Sequence, residues 1–392
     1  MKKNLLLLAM CQALMLSGIS MMMSTSPLVG VEIAPTGQLA TLPVALIYVA
    51  VMSMLIPASL LMQKYGRRIG FSIGAVCGIL AGLLASAGVY HESFVTFCIG
   101  SILLGVANSF AQFYRFAATE VATDEYKSRA ISWVLTGGLV AAFTGPSVAV
   151  WTKNVFPGVP FSFSYLCISV FCLGVLLIQW PLRIPHLGSD RSGPNRRPLG
   201  KIVAQPAFLT AVLCAMIAYG TMNLLMVATP LAMDHMHMDF SETATVIQWH
   251  IVGMFAPSFF TGSLIHRFGV LKIMFVGALM LLICGLVNLS GNSYWHFLVA
   301  LFSLGIGWNF LFIGGTTLLT ETYRPEEKGK VQGLNDFLVF SAVSITALGS
   351  GFLHHLLGWE RLNLVTFPVI VAAAAMTIAL FLYRMRVNTP SS

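Results

Sequence analysis

The sequence predicts an all-α integral membrane protein of twelve transmembrane helices in two six-helix halves, on three observations. Hydrophobic residues occupy 57% of the 392 positions and charged residues only 9%, against roughly 25% charged in a soluble domain; mean hydropathy is +0.83. Twelve apolar runs each approach the ~20 residues that a helix needs to cross a bilayer. With the N-terminus placed inside, 19 of the 22 Lys and Arg residues fall in the segments that would be cytoplasmic, as the positive-inside rule requires. Only Lys153 and Arg361 fall outside, and Arg115 falls within a span. A span missed or invented would destroy that asymmetry.

In order, the expected spans cover residues 4–28, 38–62, 69–90, 96–120, 130–152 and 161–182, then 207–233, 242–265, 271–290, 296–320, 331–353 and 362–383. The start, Met1-Lys2-Lys3 before an apolar run, has the charge of a secretory signal but too long an apolar stretch, so it reads as span 1. Between spans 2 and 3 stands Lys64-Tyr-Gly-Arg-Arg68, and between spans 8 and 9 stands Gly262-Ser-Leu-Ile-His-Arg-Phe-Gly269, with Gly66 and Gly269 203 residues apart. Between spans 4 and 5 the stretch Glu120 to Arg129 matches Glu321 to Lys330 at an offset of 201. Two landmarks at nearly one offset indicate a duplicated six-span unit. The halves are then 1–184 and 206–392, joined by a basic linker, 185–205, rich in Pro, Gly and Ser.

The net charge of +8 follows from membrane orientation and calls for no nucleic acid. The seven cysteines all lie in apolar runs without a Cys-x-x-Cys pair, which argues against structural disulfides and a zinc site. A phosphate-binding glycine loop with its lysine is absent, and no nucleophile and base form a convincing set, so neither an enzyme nor a primary pump is expected.

Ionisable side chains inside spans are costly and point by default to function. Arg115 in span 4 and Asp336 in span 11 carry opposite formal charges on different halves, which suggests a coupling or gating pair; the alternative is two residues near span ends reaching carbonyls or water. Met222-x-x-x-Met226 in span 7 and His250-x-x-x-Met254 in span 8 each set two long side chains on one helix face. Twenty methionines give about one Met-x-x-x-Met pair by chance, and Met also fills gaps in apolar cores. Thioether and imidazole groups facing each other would nonetheless suit Cu(I). Cys214, two turns before Met222, and His235 and His237 in the outer turn are possible accessory ligands.

Six plus six spans with a basic, glycine-containing turn after spans 2 and 8 resembles the major facilitator superfamily. Its loop signature, roughly Gly-x-x-x-Asp-Arg-x-Gly-Arg-Arg, is degenerate here: Ser59, Gln63 and Lys64 replace Gly, Asp and Arg in the first copy, and His266 replaces Asp in the second. The span 5 pattern Gly-x-x-x-Gly-Pro survives in part as Ala141-x-x-x-Gly145-Pro146. The Met/His set at its spacing is similar to that of the CcoA-like copper importers of this superfamily, and that resemblance implies a monomeric carrier bringing copper, as ion or small complex, through the cytoplasmic (inner) membrane. Both termini would be cytoplasmic, copper would be substrate with no cofactor, and the partners would be the metal and the lipid bilayer. Relatives of the same subgroup resemble riboflavin transporters, so a carrier of a small organic solute, with the Met and His merely lining, stands as the alternative. A non-transporting metal receptor is a third reading.

Overall fold

A computed structural model of the chain describes residues 2–122, 127–182, 184, 197–324 and 327–388. Backbone groups inside a bilayer must be satisfied within their own segment, so apolar runs become helices; no strand occurs among the described residues. Spans 1 to 3 are Lys2–Ile33, Leu42–Tyr65 and Arg67–Tyr90. Span 4 is two pieces, Phe94–Ala111 and Tyr114–Glu120, and spans 5 to 7 are Lys127–Thr152, Ser162–Ile178 and Pro206–His235. Span 8 is again two pieces, Phe240–Phe255 and Ser258–Phe268, followed by span 9, Val270–Ser290, and span 10, Tyr294–Thr320. Spans 11 and 12 run as one helix, Lys328–Asn388, bent at Gly358 where φ is 73°. Among the described residues eight stretches are long and apolar enough to cross a membrane; the last holds two spans, and spans 5, 6 and 8 complete the twelve. The expected fold stands, with two corrections: spans 4 and 8 are interrupted.

The duplication has a structural imprint. Gly66 and Gly269 end spans 2 and 8 with nearly the same backbone, φ 90° and 91°, a left-handed conformation that any side chain would strain. At the ends of spans 4 and 10 the equivalent glutamates are both paired, Glu120 with Arg67 and Glu321 with Arg384, each at 2.7 Å. Gly105 of span 4 closes onto the Ile47 carbonyl of span 2, and Gly305 of span 10, 200 residues on, closes onto the His250 carbonyl of span 8. Lipid tails are as apolar as leucine, so close approach through small residues supplies the packing that holds such helices together. Of the expected linker, 185–196 lies outside the described residues. Its remainder carries a short helix, Leu199–Val203, and is fastened by Arg197, whose guanidinium and backbone N–H donate to the buried Glu327 at 2.7–3.2 Å.

Both chain ends and the linker lie at one end of the bundle, and the halves meet mainly at the other. There Thr41 accepts from the Gly351 N–H at 3.0 Å and donates to the Ala347 carbonyl at 3.5 Å, joining span 2 to span 11. Phe161 stands at φ 66°, strained for a residue with a side chain, and lays its ring edge-on to Phe240 of the other half with centroids 4.7 Å apart. Lys153 holds its ammonium 5.4 and 5.5 Å from the two rings. Nearer the middle, Gln248 donates to Ser147 at 2.8 Å and Ser341 to the Met52 sulfur at 3.2 Å. On the linker side of that last contact, no hydrogen bond or ion pair between described residues joins the two helical halves. The hydrogen-bonded contacts between the halves are thus gathered at the far end, while toward the linker end Gly138 of span 5 packs against the Phe255 ring of span 8.

The contacts at the far end make a first prediction. An aromatic pair and the cation over it are together worth about 1–2 kcal/mol, so Phe240→Ala should raise the open fraction at the far end by about fivefold to thirtyfold. Ser350 is fully buried beside the Thr41 contact, and in a Ser350→Cys background the labelling rate by an impermeant maleimide reads that fraction. An unchanged rate would show that the rings do not hold the halves together.

Candidate substrate cavity

Between the halves lies a cavity of about 250 Å³ reached by spans 1, 4, 5, 7, 8, 10 and 11. Both helix interruptions border it. Span 4 breaks at Gln112 and Phe113, and span 8 at Ala256 and Pro257, where proline has no N–H with which to continue the helix. The break in span 8 is held by Asn309 of span 10, whose amide donates to the Met254 carbonyl at 2.6 Å and to Ser258 Oγ at 2.7 Å while its oxygen accepts from Thr261 at 2.7 Å. Irregular backbone at membrane depth persists only where it faces protein or a cavity. Broken helices of this kind line the binding sites of many carriers.

One wall is aromatic. Trp308 and Phe312, one turn apart on span 10, stack with centroids 5.0 Å apart and planes 11° from parallel. Tyr219 meets both edge-on at 5.2 and 5.4 Å, with Phe340 at 6.0 Å from Tyr219 and Phe255 at 6.4 Å from Trp308. The opposing side is polar, with Gln12, Gln112 and Arg115. Two donors are buried without a partner, the Trp308 indole N–H and the Arg115 Nε, and an unmade hydrogen bond in a dry site costs about 1–3 kcal/mol. A ligand bearing acceptors would satisfy both.

Arg115 and Asp336, singled out from the sequence, line this same cavity from different halves. They are not an ion pair, since none within 4 Å joins them; Arg115 lies 5.0 Å over the Phe116 ring and Asp336 Oδ1 accepts from Asn335 at 3.1 Å. Asp336 also borders a second cavity of about 260 Å³ between spans 2, 4 and 11.

The Met/His set is placed differently. Met222, Met226, His250 and Met254 are all buried, and none lines the central cavity. Span 8 packs chiefly against spans 5 and 10, while span 7 packs against spans 10, 11 and 12, so spans 7 and 8 touch at few points. The His250 ring turns to span 10, its Nδ1 donating to the Leu301 carbonyl at 2.7 Å. Its proton is thus on Nδ1, and Nε2 is left as a buried lone pair without a partner. Cys214 points to span 12, where its thiol donates to the Ala373 carbonyl at 3.8 Å. His235 ends span 7 and His237 sits in the turn at φ 58°, both exposed.

Two six-span halves about a central cavity, with broken helices at its edge, define a membrane transport protein. The chain belongs to the Major Facilitator Superfamily, whose family profile matches residues 6–247 and 211–392; it is a transporter and not an enzyme. It is 41% identical over 94% of its length to the riboflavin transporter RfnT of Brucella anthropi, covering 93% of that protein. Its fold matches a D-xylose–proton symporter with a TM-score of 0.77 at 13% identity, over 95% of this chain and 96% of that one. It also matches a bacterial homologue of the iron transporter ferroportin in its inward-facing state, with a TM-score of 0.70 at 14% identity over 97% and 98%.

Proposed function

We propose that this transporter carries a flat, polar-edged aromatic solute of the riboflavin class across the cytoplasmic membrane. The observation that supports this most directly is the aromatic wall of Tyr219, Trp308 and Phe312 with the unpartnered Trp308 N–H beside it. Stacking on such a wall suits a tricyclic ring, and the polar side opposite suits carbonyls and hydroxyls. The 41% identity to a riboflavin transporter agrees with that chemistry. The charge asymmetry of the loops favours a cytoplasmic linker end and cytoplasmic termini, and import is the direction we propose for test. Expression in a cell that cannot make riboflavin should restore growth on low external riboflavin and give saturable uptake of labelled vitamin. Failure of both, with the protein present in the membrane, would overturn the assignment.

Copper import is the second reading, favoured by one observation. A histidine that donates through Nδ1 to a carbonyl and keeps a bare, buried Nε2 has the arrangement of a metal ligand, and Met222, Met226 and Met254 are buried on the same two spans. The relatives reported above carry no copper assignment. The combined substitution of Met222, Met226, His250 and Met254 by Leu separates the readings. Met to Leu conserves volume at a cost under about 1.5 kcal/mol each. On the flavin reading, riboflavin uptake by the quadruple variant stays within about threefold when normalised to membrane protein, and cell copper does not change. A selective loss of copper accumulation would reverse that order.

A further inference from the structure

The aromatic wall accounts for the faces of a flat solute and leaves its polar rim unassigned. Arg115 and Asp336 border the cavity from opposite halves, are not within 4 Å of each other, and offer opposite hydrogen-bonding roles. Arg115 has a buried, unused Nε–H. Asp336 uses only Oδ1, toward Asn335, and its Oδ2 accepts from no described residue. Two groups that each keep an unused hydrogen-bonding position, Nε–H on a pure donor and Oδ2 on a pure acceptor, fit a ligand edge on which a donor and an acceptor stand side by side.

Resting on the flavin reading, we infer that Asp336 and Arg115 together read an imide edge, the C(=O)–N(H)–C(=O) unit. Asp336 accepts the imide N–H, and Arg115 donates to a flanking carbonyl. Both bonds involve a formal charge, which makes them stronger than neutral ones. Because the two residues belong to different halves, the edge also ties span 4 to span 11 on the side where no hydrogen bond or ion pair between described residues joins the halves. The imide is therefore a specificity element and a cross-link at once. Uracil nucleosides carry the same edge but have no tricyclic face for Trp308, so the wall and the edge together distinguish a flavin from a nucleoside.

The test uses binding to the purified full-length protein, read from the flavin's own fluorescence, so that a variant unable to transport still reports. Riboflavin should bind at least about tenfold more tightly than 3-methylriboflavin, in which a methyl replaces the imide hydrogen, as expected for loss of a hydrogen bond to a charged group. Uridine should not displace riboflavin at a hundredfold excess. Asp336→Ala should weaken riboflavin while leaving the methylated analogue nearly unchanged, closing the gap to within about threefold. Asp336→Asn, which retains an acceptor, should give an intermediate ratio. Equal binding of riboflavin and 3-methylriboflavin to the unmodified protein overturns this inference and leaves the flavin reading standing. Displacement by uridine overturns the division between wall and edge. Absence of any riboflavin binding overturns the flavin reading and this inference with it.

Discussion

Trp308→Ala is expected to reduce riboflavin uptake by about tenfold to a hundredfold, since stacking of a heteroaromatic ring on one aromatic side chain is worth about 1–3 kcal/mol. The indole is the centre of the wall: it stacks on Phe312, takes the edge of Tyr219 and lies near Phe255. Its removal opens the site where the ring would rest. Trp308→Phe keeps a smaller aromatic face while deleting the N–H and one ring of the indole, so its uptake should fall by less, about threefold to tenfold. Initial rates of labelled riboflavin uptake, normalised to protein in the membrane, give both numbers. Full activity in Trp308→Ala would remove the aromatic wall from the mechanism.

Asn309→Leu should destabilise the transporter by about 3 kcal/mol. The side chain is fully buried, and its replacement deletes three hydrogen bonds of 2.6–2.7 Å. The Met254 carbonyl is left next to Pro257, in a helix already interrupted. A buried polar group that loses its partner costs about 1–3 kcal/mol, and bonds between membrane helices average somewhat less than bonds in water-soluble cores, so three together justify that sum. Asn309→Asp retains two acceptor oxygens but no donor, so it should keep bonds from the Thr261 and Ser258 hydroxyls and lose the one to the Met254 carbonyl. Thermal inactivation in detergent orders the three proteins. A melting temperature for Asn309→Leu within a degree of the parent would mean that the break in span 8 holds itself.

The architecture was legible in the sequence because the bilayer imposes length and charge rules that a single chain reports directly. Gly66 and Gly269 marked the duplication, and their matching positive-φ turns are the physical reason both copies keep glycine there. The interruptions of spans 4 and 8 were not anticipated, although Pro257 was a signal for the second. An apolar run reads as continuous in hydropathy whether or not its hydrogen bonds are. Arg115 and Asp336 were found as the two formal charges set well inside the expected spans, away from their ends, and they do line the cavity. The aromatic wall was missed for the opposite reason: Tyr219, Trp308 and Phe312 do not differ from lipid-facing residues in composition. Only the one-turn spacing of Trp308 and Phe312, with Thr316 one turn further, hinted at an inward face. Spacing alone also suggested Met222, Met226, His250 and Met254 as one cluster, but it could not report that the His250 ring engages span 10.

The fastening of the linker by Arg197 bears on how this carrier responds to acid. Four hydrogen-bonding contacts from Arg197 and the Arg324 N–H hold the Glu327 carboxyl down at about 2, and the same ion pair raises the guanidinium above its ordinary value. A carboxyl lowered in the folded state contributes its stability above its unfolded value, near about 4.3, and loses it only as pH falls toward the folded one. The tether is therefore fully present at neutral pH and is lost only in strong acid. A change of pH within the neutral range leaves this fastening of the linker in place, so any proton-linked step must act through groups elsewhere.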